Sequence, residues 1–435
     1  MVIFLKYYLV GIKGTGMSAL AQCLKDNSEM VIGSDKEEHF FTEEKLNLKK
    51  IPIFKFNKNN INKYKTYIFI ISYAYDEYNN EEVKEIIDNN LEYYYYSDFI
   101  NIYFNNIKIG VSGTHGKTTV TTMIKSLFEK DNISYIIGDG TGGGGINSKY
   151  LIFEACEYKY HFINYDYDYL VINNIDFDHP DYYNNLDEVI TAFKLVSKKA
   201  KCLIVNNDDV NSRKIKHNCR YTFGINNKSF VTGTILLENE NGYKIKVCVK
   251  DREFYYDLPI YGIHMVYNFL AAFTMYYLTH YKKKNIEEYV NVTFEKFINP
   301  KRRNQEIILD NGNILIDDYA HHPSEIESTY QSIKQKYKGY EITIIFQPHT
   351  YTRSIFLSEQ FKKVLKNKNV FIMDTFTSRE GIDTLKEKVV NDIYKDKNKY
   401  NIEIVKNIIN NKKNQIIVFM GAGNINNEIC KILKF

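Results

Sequence analysis

At 435 residues the chain is longer than one hydrophobic core usually serves, and length alone points to about three domains. Hydrophobic residues at 44% and charged residues at 25% are the balance of an ordinary soluble globular protein. The net charge of +4 comes from 57 basic and 53 acidic side chains with no basic run or tail, which argues against a nucleic-acid partner, and no apolar stretch approaches the length of a bilayer span.

The opening residues "YYLV", then "GIKGTG", then Met17, Leu20, Ala21 and Leu24 on one stripe predict strand, glycine loop and helix. The next strand, "MVIGSD", ends at Asp35. The pattern invites a dinucleotide reading, but the glycines stand at 11, 14 and 16, with Lys13 at the second glycine of G-x-G-x-x-G. A nicotinamide dehydrogenase is therefore the weaker reading, and another diphosphate could use the same helix end.

A second unit begins near residue 107 with "IKIGVS", the loop "GTHGKTT", and a helical stripe of Val120, Met123, Ile124, Leu127 and Phe128. The standard phosphate loop, G-x-x-x-x-G-K-[ST], is missed by one place, because Val111 stands where its first glycine belongs. The context still predicts an anion site. Backbone N–H groups converge at a helix N-terminus, Lys117 adds a full charge for the outer phosphates, and the Thr118 hydroxyl suits Mg²⁺. The bland alternative is a plain strand-to-helix turn with a surface lysine. Strands "YLIFE", "YLVINNID" and "CLIVNNDD" follow, and their C-terminal ends carry Glu154, Asp178, His179 and Asp208, where an open parallel sheet binds ligands. Residues 220–260 read as an antiparallel insert. A third unit, opening after "FINPKRRNQ", again alternates strands with helices and ends at "IIVFMGAGN". The expected fold is α/β, with mainly parallel sheets in domains 1–106, 107–298 and 299–435. Its six cysteines (Cys23, Cys156, Cys202, Cys219, Cys248, Cys430) form no C-x-x-C pair and predict reduced thiols in a cytoplasm.

Several of the six prolines stand inside polar clusters, "NIDFDHPDYY", "INPKRRNQE", "IDDYAHHPSEI" and "FQPHTYTRS". With "GTHGKTT", "FEACEY", "NNDD" and "GIHMVYNFLAA" these occur in an order that resembles the Mur ligases, the ATP-dependent amide-forming enzymes of peptidoglycan synthesis. The resemblance runs from "VGIKGTGMSALA" to "FMGAGNI" and implies a Rossmann-like N-terminal domain, a P-loop ATPase-like centre and a Rossmann-like C-terminal domain. It implies ATP, Mg²⁺, UDP-N-acetylmuramate and L-alanine as partners, and an acyl phosphate on the sugar carboxylate that the alanine amine attacks. Alternatives are a recycling ligase adding a tripeptide to the same sugar, and a drifted, non-catalytic nucleotide-sugar binder. A cytoplasmic monomer or weak homodimer is expected.

Residue by residue, the resemblance implies that Gly113, Thr114, His115, Gly116, Lys117, Thr118 and Thr119 hold ATP, together with His264 and Asn268 at the adenine. It implies Thr118, Glu154 and His179 as magnesium ligands. Lys117, His179, His321 and Arg353 would be catalytic, and Gly14, Gly16, Asp35 and Ser72 would hold the UDP portion. Arg302, Arg303, Asp318, Tyr319, His322 and His349 would surround the sugar carboxylate and the amino acid. Lys13, Tyr73, Gly144, Met265 and Pro300 depart from the family's usual residues.

Overall fold

The computed structural model describes residues 5–433 and contains three sheets distributed over two compact units. The first unit runs to Ile175 and adds Ile190–Thr232 and Asn268–Ile286; the second comprises Asp176–Val189, Gly233–Tyr267 and the chain from Glu287 onward.

The first sheet orders its strands β3-β2-β1-β4-β5, with β1 Lys6–Val10, β2 Met30–Asp35, β3 Ile53–Lys55, β4 Ile68–Ile71 and β5 Tyr93–Tyr95. All neighbours are parallel. Burial on both faces explains the unbroken apolar runs: Tyr8, Val10, Phe69 and Ile71 share a core with Val83 and Ile86. Chain order reverses between β1 and β4, so the loops after these strands flank the crevice where such a sheet binds ligands.

In the same unit, β6 (Ile107–Ser112), β7 (Ile133–Ile136), β8 (Gly142–Gly143), β9 (Tyr150–Glu154), β10 (Tyr167–Ile172), β11 (Ala200–Asn206) and β12 (Arg220–Gly224) build the second sheet in the order β12-β11-β10-β6-β9-β7-β8. The helix α1 (Lys117–Leu127) leaves β6 through the glycine loop and buries Val120, Met123, Ile124 and Leu127, the stripe read from the sequence. The antiparallel reading of 220–260 needs correction. β12 is parallel to β11, and β13 (Val231–Asn239) starts parallel to β12, whereas the hairpin of β14 (Gly242–Val249) with β15 (Arg252–Leu258) is antiparallel as expected. The expectation of reduced cysteines also fails at one place, where Cys202 and Cys219 form a disulfide. The parallel register Leu203↔Arg220 makes the preceding residues cross-strand neighbours.

The second unit holds β16 (Gln305–Ile308), β17 (Ile314–Asp318), β18 (Glu341–Phe346), β19 (Asn369–Ile372), β20 (Asn398–Lys399) and β21 (Gln415–Met420) in the order β16-β17-β21-β18-β19-β20. β16 is antiparallel and the rest are parallel. Alternate residues divide between two cores: Ile316, Ile344 and Val418 face one side, and Leu315, Ile345 and Ile417 the other. That alternation brings Asp318, Gln347 and Gly421 to one edge, at the C-terminal ends of neighbouring strands. Among the described residues no helix is long and apolar enough to cross a membrane.

Candidate functional site

The glycine missing at 111 is replaced by one farther along the loop. Gly113 turns at φ +137 and Gly116 at φ +79, conformations that a side chain resists. A Cβ on Gly116 would also stand 2.6 Å from Asn268 Oδ1 and 2.7 Å from Asn173 Nδ2. Asn173 and Asn174, just past β10, hold the loop from below. Asn174 accepts from the His115 N–H at 2.8 Å through its side chain and from the Thr114 N–H at 3.0 Å through its carbonyl. The His115 carbonyl accepts from both asparagine side chains at 3.1 and 3.0 Å. Asn173 also donates to Asn268 Oδ1 at 2.8 Å, which joins that residue to the loop.

Lys117 opens α1 with its ammonium folded over the loop, donating to the carbonyls of Gly113 at 2.7 Å and Thr114 at 3.1 Å. The carboxylate of Glu157 takes the same ammonium at 2.9 and 3.1 Å. Burial disfavours the charge, but Glu157, ahead of Cys156 and Glu154, outweighs it and holds the lysine above its ordinary range. Thr118 donates to Glu154 Oε2 at 2.7 Å, so a hydroxyl and a carboxylate stand together, the oxygen donors that a hard cation takes. Gly138 leaves room for that carboxylate, since a Cβ there would lie 2.2 Å from Glu154 Oε2. Thr119 is buried in the first turn of α1.

At the first sheet, Asp35 is buried and accepts from the backbone of Lys13 at 2.7 Å, the backbone of Lys36 at 2.8 Å and the Tyr75 hydroxyl at 3.3 Å. Gly14 precedes the helix Thr15–Asp26, and Gly16 in its first turn lies close to Tyr96. Ser72 donates its backbone N–H to Val10 O of β1 and faces Gly11 across the crevice. Lys13, the departure in this loop, turns aside: its ammonium donates to the carbonyls of Lys36 and Glu38 at 2.7 and 2.8 Å and pairs with Glu43 at 2.8 Å. Gly144 has no space for a lysine, because a Cβ would meet Cys23 O and Asn27 Oδ1 at 2.6 Å each. Tyr73 is sandwiched between Tyr95, at 5.2 Å, and His161, at 4.8 Å.

In the second unit, Asp178 and Arg353 form a buried pair. The guanidinium reaches Asp178 Oδ1 from Nε and Nη2, both at 2.9 Å, and donates from Nη1 toward His349 Nδ1 at 2.9 Å. Burial alone would raise the Asp178 carboxyl; Arg353, then His179, His322 and His321, prevail and hold it well below the usual carboxylate range. The same Oδ1 accepts the His179 N–H at 2.7 Å and supports that residue at φ +57. His321 lies edge-on to His349 at 5.4 Å, with Nδ1 3.2 Å from Glu325.

Other residues assigned to substrate have structural duties here. The Arg302 fork donates to the carbonyls of Gly421 at 2.6 Å and Gly423 at 2.9 Å and closes the last glycine loop. Arg302 and Arg303 lie over the Tyr319 ring at 5.2 and 5.1 Å. Asp318 accepts from the N–H groups of Asn304 and Ala320 and from Thr329. His322 is the N-cap of the helix α2 (Pro323–Lys336), with Pro323 at the first position and Glu325 completing a capping box. His264 is deprotonated at neutral pH, its pKa lowered to about 4 by burial and by Arg303. Met265 is buried and donates from its backbone to Gly262. Asp208 anchors a turn, accepting from the N–H groups of Ile225, Asn226 and Asn227.

Sequence reading missed Glu157, Asn173 and Asn174 as site residues. Glu157 reaches Lys117 from a segment that turns sharply at Lys159 and Tyr160, consecutive residues with φ +51 and +60. Nothing in residue type announces that bend.

Family models match the chain in three places: "Mur ligase family, catalytic domain" over residues 6–106, "Mur ligase middle domain" over 111–276, and "Mur ligase, glutamate ligase domain" over 302–423. A UDP-N-acetylmuramate–L-alanine ligase of Streptococcus thermophilus is 36% identical over 429 residues, covering 96% of this chain and 94% of that protein. The fold is similar to the crystal structure of the UDP-N-acetylmuramate–alanine ligase of Thermotoga maritima, with TM-score 0.79 and 24% identity over 99% of this chain and 98% of that one. A murein peptide ligase of Psychrobacter arcticus is similar at TM-score 0.72 and 18% identity, again over 99% and 98%. With a full-length relative at this identity and a nucleotide loop built as described, the chain belongs to the Mur ligase family.

Proposed function

We propose that the chain joins L-alanine to the carboxylate of UDP-N-acetylmuramate, converting ATP to ADP and phosphate, in the synthesis of peptidoglycan. The observation that carries this reading is the loop in which Lys117 and the Thr118–Glu154 pair converge at the N-terminus of α1, in a chain related over 96% of its length to an enzyme of that name.

A carboxylate resists attack by an amine because an oxide would have to leave. The sugar carboxylate oxygen therefore attacks the γ-phosphorus, ADP departs, and the acyl carbon acquires phosphate as a leaving group. The alanine amine then attacks that carbon, loses a proton, and phosphate leaves with one oxygen of the original carboxylate. Loop N–H groups and Lys117 are placed to hold the transferring charge, which is most of what phosphoryl transfer requires of a protein. Thr118 and Glu154 would hold Mg²⁺, which would neutralise phosphate charge, and the resemblance assigns His179 to magnesium as well. His264 and Asn268 are assigned to the adenine. Gly14, Gly16, Asp35 and Ser72 are assigned to the UDP portion, and Arg303, Tyr319, His321 and His349 to the sugar carboxylate and amino acid. Arg353 is assigned to the reaction centre alongside Asp178.

Phosphate release from ATP and Mg²⁺ tests the reading. Release should require UDP-N-acetylmuramate and L-alanine together. Release supported by the tripeptide and not by alanine would overturn it in favour of recycling, and ATP binding without release under any condition would leave a nucleotide-sugar binder.

A further inference from the structure

The proposal below rests on the ligase reading and concerns a residue to which the resemblance assigned no role. Glu157 lies three residues past the end of β9, only 2% exposed, with both carboxylate oxygens on the Lys117 ammonium. The lysine is thus held from two sides, by the loop carbonyls of Gly113 and Thr114 and by this carboxylate. A long, flexible ammonium side chain has rotamer freedom to lose when it is fixed, and these contacts remove it.

The segment that carries Glu157 is held in an unfavourable shape. Lys159 and Tyr160 both occupy the left-handed region, which is unfavourable for residues with a side chain. The Glu157 carbonyl accepts the Tyr160 N–H at 3.1 Å, and the Phe162 N–H returns to Cys156 O at 3.1 Å. The far end is fastened to the first sheet: His161 stacks on Tyr73, Asn164 Nδ2 donates to the Tyr73 hydroxyl at 3.4 Å, and Asn101 donates to Asn164 O at 2.5 Å. A strained bend fastened at both ends fixes the carboxylate within this unit.

We propose that Glu157 is a positioning residue for the transfer step: it fixes the Lys117 ammonium at the mouth of the loop, so that the charge is in place where phosphate arrives. Removing its charge while keeping its shape leaves the lysine tethered only by neutral carbonyls, and a misplacement of about 1 Å can cost roughly a hundredfold in rate.

The test compares steady-state kinetics of the wild type, Glu157→Gln, Glu157→Asp and Lys117→Ala, and of Glu157→Gln combined with Lys117→Ala, all confirmed as folded by thermal unfolding. Glu157→Gln should lower kcat about 10- to 100-fold with the KM for ATP changed less than about threefold, and Glu157→Asp should recover part of the loss. In the Lys117→Ala background the glutamine change should have no further effect, since a residue acting only through the lysine is non-additive with its removal. An unchanged kcat in Glu157→Gln, or losses that multiply in the double variant, would overturn the positioning role. If Glu157→Gln does not fold, Glu157→Asp alone decides, with a kcat equal to the wild type overturning the proposal. Failure of the ligase reading would show separately, as a wild type that turns over no alanine.

Discussion

Lys117 heads α1 with its ammonium on the loop carbonyls of Gly113 and Thr114 and on Glu157. Its place after Gly116 was legible because glycine, lysine and threonine at the head of an apolar helical stripe serve one electrostatic purpose. Its partner Glu157 was not, because an acid in "FEACEY" is indistinguishable from a solvated one until the bend at Lys159 is known. Lys117→Ala should reduce kcat at saturating ATP at least about a hundredfold, the usual loss for a charge stabiliser in such a site; a change below threefold would remove it from the chemistry. His264 supports a second prediction at this scale. Its folded pKa of about 4 lies below its unfolded value of 6.5, so the unfolded chain binds more protons between these limits. Its contribution to stability is complete above pH 6.5 and declines as the pH falls toward 4, by up to about 3 kcal/mol. Denaturant unfolding of the wild type and His264→Gln should show the difference between them narrowing as pH falls through this window. A difference independent of pH would mean that the imidazole is not held neutral.

Among the elements, α2 shows what local sequence can and cannot reveal. "HHPSEI" carries a capping box in plain view, with a proline at the first helical position and a glutamate at the third. His322 serves as that cap, and the resemblance assigns it to the substrate as well. Glu325 bonds the N–H groups of His321 and His322 and lies near Arg303 and His321, so one carboxylate ties the helix start to several residues of the candidate site. Glu325→Ala should destabilise the protein by about 1–2 kcal/mol, the range of a lost N-terminal cap, measured as a shift of the urea midpoint with unchanged slope. Strand–helix alternation placed all three mainly parallel sheets, whereas within residues 220–260 β12 and the start of β13 were misread, because short alternating strands look the same in parallel and antiparallel pairing. Register with β11 decided it, and register is a tertiary property. The bend at Lys159 and Tyr160 escaped for a related reason: its stability comes from Tyr73 and Asn101, distant in sequence.

For the whole molecule, the order of motifs from "GTHGKTT" to "FQPHTYTR" conveyed what no single site could, since the motifs lie far apart in the chain. Polar residues within these motifs also brace the backbone. Lys13 and Arg302 are braces here, bound to backbone carbonyls, so neither tells for or against activity in the way its place in a motif suggested. What distinguishes a working ligase from a drifted binder is the passage of an oxygen. If the sugar carboxylate attacks the γ-phosphorus, UDP-N-acetylmuramate labelled with ¹⁸O in its carboxylate must release phosphate carrying one labelled oxygen per amide bond formed. Without alanine, phosphate release should be far slower than coupled turnover, because an acyl phosphate exposed to water would hydrolyse and consume ATP to no purpose. Mass spectrometry of the phosphate settles the route. Unlabelled phosphate alongside normal amide formation would exclude the acyl phosphate while leaving the ligase activity intact, whereas label in phosphate with no dependence on alanine would point to a site that activates the sugar and fails to protect it.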